Sequence, residues 1–187
     1  MPRAGLDRAT VVAAAAALAD ERGFAQLTMG LVAERLNVRP PSLYKHVESL
    51  AELQKGIAAL AMTELGDELR DATQGYAGRD ALAAAARAMR SYITTHPGRY
   101  AATVGVADSA LAEAADRVLG SLAATLRGYH IDPDEHTHAL RAVRSTLHGF
   151  ATLEADSGFQ WDTSPDKSFE WLIDFLDRGL RSAATKA

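Results

Sequence analysis

Apolar residues recur with helical spacing in nearly every segment of the chain, and this pattern constrains the fold more than any other feature. Between Leu6 and Arg22, for example, Val11, Ala15 and Leu18 share one helical face. No segment shows the sustained alternation of apolar and polar residues, or the turn signal, that a β-hairpin requires. The sequence therefore predicts an all-α fold of about nine helices.

Capping residues predict where the first helices begin and end. Thr28 is a suitable N-cap, and Asn37 stands where a helix would end in a left-handed residue. Pro40 or Pro41 fits the first turn of the next helix, where no amide donor is needed. Ser49 can cap a long fourth helix that we expect to reach about residue 72.

Capping residues and helix-breaking residues also predict the remaining helices. We expect a fifth helix carrying Leu82 to Ile93 that His96-Pro97-Gly98 ends, a helix capped by Asp108, one opened by Ile131 to Glu135, and a last one from about Asp166 to Ala184. The longest loop is expected at Ser157 to Pro165. These elements predict an N-terminal three-helix module at residues 1–50 and a helical body at residues 51–187.

Composition narrows the classes of protein that remain. The chain of 187 residues has no cysteine, which excludes disulfides and thiolate metal sites. It has no apolar run of about 18 residues and no signal-peptide pattern, so we expect a soluble, cytoplasmic protein without a membrane role. Of the net charge of −4, residues 1–47 carry +2, with six Lys/Arg against four acids. A mildly basic contact surface on an acidic body is consistent with this asymmetry.

One stretch, Leu31 to Val47, indicates a function. Two consecutive prolines separate a short amphipathic helix from a second one that carries Ser42, Tyr44, Lys45 and His46. Such a pair is typical of a helix-turn-helix, whose second helix enters the major groove and whose hydroxyl and ammonium groups bind phosphates or base edges. Spacing alone also allows a helical hairpin with a solvated face and no DNA role.

The same stretch resembles the DNA-binding domain of the TetR (tetracycline-repressor-like) family of bacterial transcriptional regulators. The run from Thr28 to Leu53 reads TMGLVAERLNVRPPSLYKHVESLAEL. Two positions depart from the family pattern: Asn37 replaces a common glycine, and Leu50 stands where relatives often carry a phosphate-binding lysine. The resemblance implies a ligand-responsive repressor that binds a near-palindromic operator in double-stranded DNA as a homodimer. The DNA contacts it implies are Thr28, Arg39, Pro41, Ser42, Tyr44, Lys45 and His46.

The body of the chain is similar to the small, His-Gly-bearing regulatory domain found in part of that family, over Arg144 to Phe159. Apolar and aromatic residues with a few polar groups suit a pocket for a small lipophilic or aromatic effector. The candidate pocket residues are Met89, Tyr92, Ile93, His96, Tyr100, Leu122, Leu126, Arg144, Leu147, His148 and Phe150. For any single apolar member, an ordinary core role is the alternative.

The last helix predicts an interface, because it carries a second apolar stripe that begins with Trp171 and Phe175. A surface helix needs only one stripe for its own core. Ala142 and Gly149 on the preceding helix would permit close approach, so a four-helix interface between two subunits is expected. The alternative is a helix buried in its own domain.

Other functions find less support. His130, His136, His138 and His148 lie close in sequence, but no metal-ligand spacing links them, and we predict no metal and no cofactor. No phosphate loop, nucleophile elbow or paired-carboxylate motif is present, so we do not expect an enzyme. An all-α small-molecule binding or hydrolytic protein, and a helical interaction module without a DNA role, remain alternatives that retention on duplex DNA would separate.

Overall fold

The computed structural model describes residues 6–104 and 108–184, and within them the fold is all-α, as predicted. The nine helices in these ranges are α1 (Arg8–Arg22), α2 (Met29–Arg35), α3 (Pro40–Leu43), α4 (Leu50–Thr73), α5 (Gly78–Thr95), α6 (Pro97–Ala102), α7 (Ala112–Leu126), α8 (His136–Ala155) and α9 (Pro165–Ser182). Three short 3-10 turns occur at Phe24–Gln26, Ser109–Leu111 and Arg127–Tyr129. None of the helices in the described ranges is both long and apolar enough to cross a membrane.

The predicted helix ends around the helix-turn-helix are confirmed. The Oγ1 of Thr28 accepts a hydrogen bond from the amide of Leu31 at 3.3 Å, so Thr28 caps α2. Asn37 adopts a φ of 52°. The amides of Asn37 and Val38 donate hydrogen bonds to the carbonyls of Glu34 and Ala33, each at 3.0 Å. This pair of hydrogen bonds is that of a Schellman motif, and it closes α2.

Helix α6 was not predicted from the sequence. The sequence predicts that His96-Pro97-Gly98 ends the fifth helix, and in the structure Pro97 also occupies the first position of a short helix that ends at Ala102. Two other differences are smaller. Asp7 caps α1, which therefore begins at Arg8 and not at Leu6, and Asp108 caps the 3-10 turn that precedes α7.

The chain forms two compact units. Among the described residues, the first comprises 6–63, 95–104 and 108–114, and the second comprises 64–94 and 115–184. The first unit is larger than the predicted 1–50 domain, because it includes the first half of α4 and all of α6. The predicted boundary after residue 50 separates two functional domains, and it stays a prediction.

The first unit is built around α1, whose Val11, Ala15 and Ala19 are fully buried. Helix α6 packs against α1 at backbone distance, since a Cβ placed on Gly98 would lie 2.0 Å from the carbonyl oxygen of Ala19. Only glycine permits this approach, so the residue at position 98 decides how closely α6 lies on α1.

The second unit has an apolar core and a set of ion pairs along one side of α9. The core residues contributed by α5, α7, α8 and α9 include Leu82, Met89, Tyr92, Ile93, Leu122, Leu126, Val143, Leu147, Phe169 and Ile173. Arg90 bonds Glu154 and Asp166 while its guanidinium lies 4.7 Å from the ring centre of Phe169. Tyr129 donates to the buried carboxylate of Asp177 at 2.8 Å. These contacts orient α8 and α9 within the unit.

Candidate nucleic-acid interface

Helices α2 and α3 form a helix-turn-helix held by apolar side chains. Leu43 and Val47 are buried, and Leu36 and Val38 are half-buried. Ala33 is also buried. The backbone hydrogen bonds of Asn37 and Val38 at the end of α2 fix the conformation of the short turn between the two helices.

The second helix is short and exposes most of its side chains. After Pro40 and Pro41 the α-helical part ends at Leu43, and the amides of His46 and Val47 then bond the carbonyl of Leu43 at 2.8 and 3.0 Å. The Tyr44 side chain is 53% exposed although Leu43 beside it is buried. The segment therefore presents a polar surface that does not pack against its own unit.

All seven predicted DNA contacts lie on these two helices or directly before or after them. Thr28, Arg39, Pro41, Tyr44 and Lys45 are exposed, and Ser42 and His46 are half-buried. Their roles stay predictions, but each of them is accessible to an external partner.

A variant of the capping box closes the start of α4, in which the Glu52 carboxylate accepts the amide of Glu48 and not that of the N-cap Ser49. The amide of Glu52 donates to Ser49 Oγ at 3.1 Å, and Glu52 Oε2 accepts the amide of Glu48 at 2.5 Å. Arg8, from the start of α1, donates through Nε to Glu52 Oε1 at 3.3 Å. The backbone bond from Glu48, assisted by Arg8, lowers the pKa of Glu52. The carboxylate is therefore ionised at neutral pH, and it lies close in the chain to the exposed segment from Arg39 to His46, which we call the recognition segment.

The start of α1 lies near the end of that segment. The pKa of Asp7 is lowered, chiefly by the hydrogen bond from the amide of Thr10 that caps α1, and also by the charge of His46. At the other end of α1, Glu21 pairs with Arg35 of α2. Ion pairs thus connect α1 to both α2 and α4.

Sequence reasoning did not single out Arg8 and Glu52. The S-x-x-E spacing of Ser49 and Glu52 is a signal for the capping box that could have been used. No comparable signal exists for Arg8, because its partner lies 44 residues away in the chain.

The predicted pocket residues are divided between the two units. His96 and Tyr100 belong to the first, where His96 Nδ1 lies 3.2 Å from Asp20 Oδ2. In the second unit, Met89, Tyr92, Ile93, Leu122, Leu126 and Leu147 are buried, Arg144 is exposed, and His148 and Phe150 are half-buried. A cleft of about 490 Å³ in the second unit is lined by Arg87, Arg90, Ser91, Thr94, Glu154 and Ala155. The pocket assignment stays a prediction.

The predicted interface residues lie on an exposed face of α8 and α9. Trp171 and Phe175 are 61% and 54% exposed and stack with ring centres 5.4 Å apart. Ala142 is exposed, and a Cβ on Gly149 would meet no atom within 4 Å. Ala142 and Phe175 also line an apolar groove of about 380 Å³ between the two helices. Dimerisation through this face stays a prediction.

Comparison with known proteins agrees with this geometry. Residues 11–53 match the family described as bacterial regulatory proteins, tetR family, and residues 82–176 match the Tetracyclin repressor-like, C-terminal domain. The first match covers the helix-turn-helix and its supporting helices. The fold and the site thus define a helix-turn-helix transcriptional regulator.

Similar proteins extend the match over almost the whole chain. An uncharacterized HTH-type transcriptional regulator of Bacillus subtilis (strain 168), YobS, is 33% identical over 182 residues, which are 96% of this chain and 95% of the relative. Rv0681 of Mycobacterium tuberculosis (strain ATCC 25618 / H37Rv), also an uncharacterized HTH-type transcriptional regulator, is 31% identical over 97% of this chain and 85% of its own length. The chain belongs to the tetR family of bacterial regulatory proteins.

Solved structures show the same fold. The crystal structure of Mycobacterium smegmatis BioQ has a TM-score of 0.73 and 27% identity, covering 96% of this chain and all of that one. A structure of BioQ with its natural double-stranded DNA operator has a TM-score of 0.72 at 27% identity, covering 95% of this chain and 99% of that one.

Proposed function

We propose that this regulator is a repressor that binds a near-palindromic operator as a homodimer and is released by a small lipophilic or aromatic effector. The observation that carries the proposal is the exposed segment from Arg39 to His46, held rigidly on the buried Leu43 and Val47. We infer that the protein acts in the cytoplasm, where its DNA lies. The operator complex of BioQ supports the DNA-binding part, since that protein shares the fold at 27% identity.

The exposed side chains divide into two chemical groups. Tyr44, Lys45 and His46 follow the recognition helix and offer a phenol, an ammonium and an imidazole for backbone phosphates. Arg39 and Ser42 lie at its start, where side chains of a recognition helix reach base edges. Affinity would come mainly from the first group and sequence preference from the second.

A homodimer follows from the geometry of such sites. A single helix-turn-helix reads one half-site. A two-fold symmetric dimer therefore binds an operator whose two half-sites are related by the same symmetry. The stacked Trp171 and Phe175 and the groove beside them supply an apolar surface of the kind that subunit interfaces bury. In our proposal, α8 and α9 of the two subunits pack as four helices.

The effector would act through the second unit. Its buried Met89, Tyr92 and Leu147 offer apolar and aromatic contacts, and the Tyr92 hydroxyl donates to Glu64 at 2.8 Å as one polar group among them. Helix α4 contributes residues to both units, so an effector that favours one position of α4 would change the spacing of the recognition helices. A coupling of about 1–3 kcal/mol would lower operator affinity roughly 5- to 150-fold.

The test of this proposal has two stages. The purified protein first selects duplexes from a random 30-base-pair library, and we expect enrichment of one near-palindromic sequence. A thermal-shift screen of lipophilic and drug-like compounds then identifies binders, which are retested for release of the selected duplex. Failure to enrich any duplex would contradict the DNA-binding role, and binders that raise the melting temperature without weakening DNA binding would contradict the allosteric one.

A further inference from the structure

The start of α4 has no cationic side chain at the position where the family pattern commonly has one. Leu50 is the first residue of α4, and its half-buried, apolar side chain cannot bind a phosphate. The free amides of a helix N-terminus can bind phosphate instead, and here Ser49 Oγ already accepts the amide of Glu52, while the Glu52 carboxylate accepts the amide of Glu48 before the helix. A cation that binds a phosphate at this position must therefore come from another residue.

Arg8 brings a guanidinium to this place from α1. Its Nε donates to Glu52 Oε1, and its side chain is 55% exposed. An arginine has five N–H donors in a planar fork. Among the hydrogen bonds of the described residues, that from Nε to Glu52 is the one Arg8 makes, which leaves its terminal amino groups to donate elsewhere.

One further contact places Arg8 next to the recognition segment. Glu52, its partner, accepts the amide of Glu48, two residues after His46. The pKa of Asp7, its neighbour in the chain, is lowered mainly by the hydrogen bond from Thr10 and to a smaller extent by His46. Arg8 therefore lies beside the residues that are proposed to follow the DNA backbone.

We propose that Arg8 binds an operator phosphate in place of the missing cation at position 50. A guanidinium can donate through one edge to a carboxylate and through another to a phosphate, and it matches the phosphate geometry better than an ammonium does. This inference rests on the proposed DNA-binding function. It adds one phosphate contact in each half-site, outside the helix-turn-helix itself.

The alternative is that Arg8 only neutralises Glu52, which would otherwise repel DNA. Both roles predict weaker binding when Arg8 is removed. They differ once the carboxylate is neutral, because a counter-ion is then unnecessary whereas a phosphate contact is still lost. Glu52→Gln makes this distinction, since glutamine retains the capping box without the charge.

The experiment measures the dissociation constant of the duplex selected by the wild-type protein over a series of salt concentrations. Arg8→Ala is examined both alone and in the Glu52→Gln background. We expect the slope of log affinity against log salt concentration to become shallower by about 1.8 in both backgrounds, since each of two half-sites loses one phosphate contact worth about 0.9. Arg22→Ala, at the exposed other end of α1, is the matched control and should leave the slope unchanged.

A slope that changes with Arg8→Ala alone but not in the Glu52→Gln background would overturn the proposal and leave Arg8 as a counter-ion. An unchanged slope in both backgrounds would overturn it as well. Circular dichroism shows whether each variant is folded, and Arg8→Lys, which retains the charge, should keep most of the slope if folding is intact. With either of these two outcomes, the wild-type protein would still bind the duplex. The inference about Arg8 would then fail while the DNA-binding function stands.

Discussion

Asp20, on α1, caps a helix that lies far along the chain: its Oδ1 accepts the backbone amide of Arg99, 79 residues later, at 2.8 Å. Its Oδ2 lies 2.9 Å from Nε of Arg99 and 3.2 Å from Nδ1 of His96. His96 is the N-cap residue of α6 but makes no side-chain capping bond of its own. The carboxylate of α1 therefore replaces the local cap, and it ties α6 to the same unit as the helix-turn-helix.

The close approach of these helices predicts the effect of one added methyl group. Gly98→Ala places a Cβ about 2 Å from the Ala19 carbonyl, so α6 must move away from α1. We expect a loss of about 1–3 kcal/mol in the free energy of unfolding, measured by urea denaturation. Gly120→Ala in α7 is the matched control, because a Cβ there meets no atom within 4 Å. It should gain about 0.5–1 kcal/mol, and equal effects at both positions would contradict the packing argument.

Asp177 predicts a pH dependence of stability. Burial raises the pKa of Asp177, but hydrogen bonds from Arg181 and Tyr129 outweigh burial and leave the pKa lowered. The folded protein then holds fewer protons than the unfolded chain, so this stabilisation is complete above about pH 4 and is lost as the pH falls through the folded pKa. Asp177→Asn should be less stable than wild type at pH 6, and the difference should narrow at pH 3.5. A difference in urea midpoints that is the same at both pH values would refute this account.

Replacing Lys45 should change the salt dependence of DNA binding without changing the sequence preference. Its exposed ammonium follows the recognition helix, so Lys45→Ala should weaken binding of the selected duplex and flatten the salt slope. Arg39→Ala, at the start of the same helix, should instead relax the preference for particular bases, at a cost of about 1–3 kcal/mol on the preferred sequence. Fluorescence anisotropy with matched and scrambled duplexes distinguishes the two. An unaltered affinity and slope in Lys45→Ala would remove it from the phosphate contacts.

Trp171 predicts the oligomeric state. A carboxylate in the exposed Trp171–Phe175 stack would be buried without a partner in the proposed four-helix interface, so Trp171→Glu should give monomers. Tyr76→Glu is the matched control, because Tyr76 is 60% exposed in the loop between α4 and α5. Light scattering after size exclusion gives the mass of each variant, and circular dichroism confirms folding. A folded dimer of Trp171→Glu would move the interface to another surface.

The helix-turn-helix could be predicted in detail because its determinants are local. Thr28 and Ser49 bond amides three residues ahead, and Asn37 takes a left-handed conformation that its own side chain tolerates. Such interactions leave a signature within one turn of the sequence. The same applies to the apolar spacing that buries Leu43 and Val47 and exposes Tyr44 between them.

The features that join distant segments depend on how the helices pack. The short α6 has few residues of helical pattern and takes its cap from Asp20, and Arg8 meets Glu52 across 44 residues. Arg90 similarly joins Glu154 and Asp166 over two aromatic rings. A charged residue in the sequence does not indicate which of the many opposite charges it will meet, because that depends on how the helices pack. Local patterns in the chain therefore indicate most of the helices and the recognition segment, whereas packing of the helices selects the short α6 and the ion pairs and caps between helices.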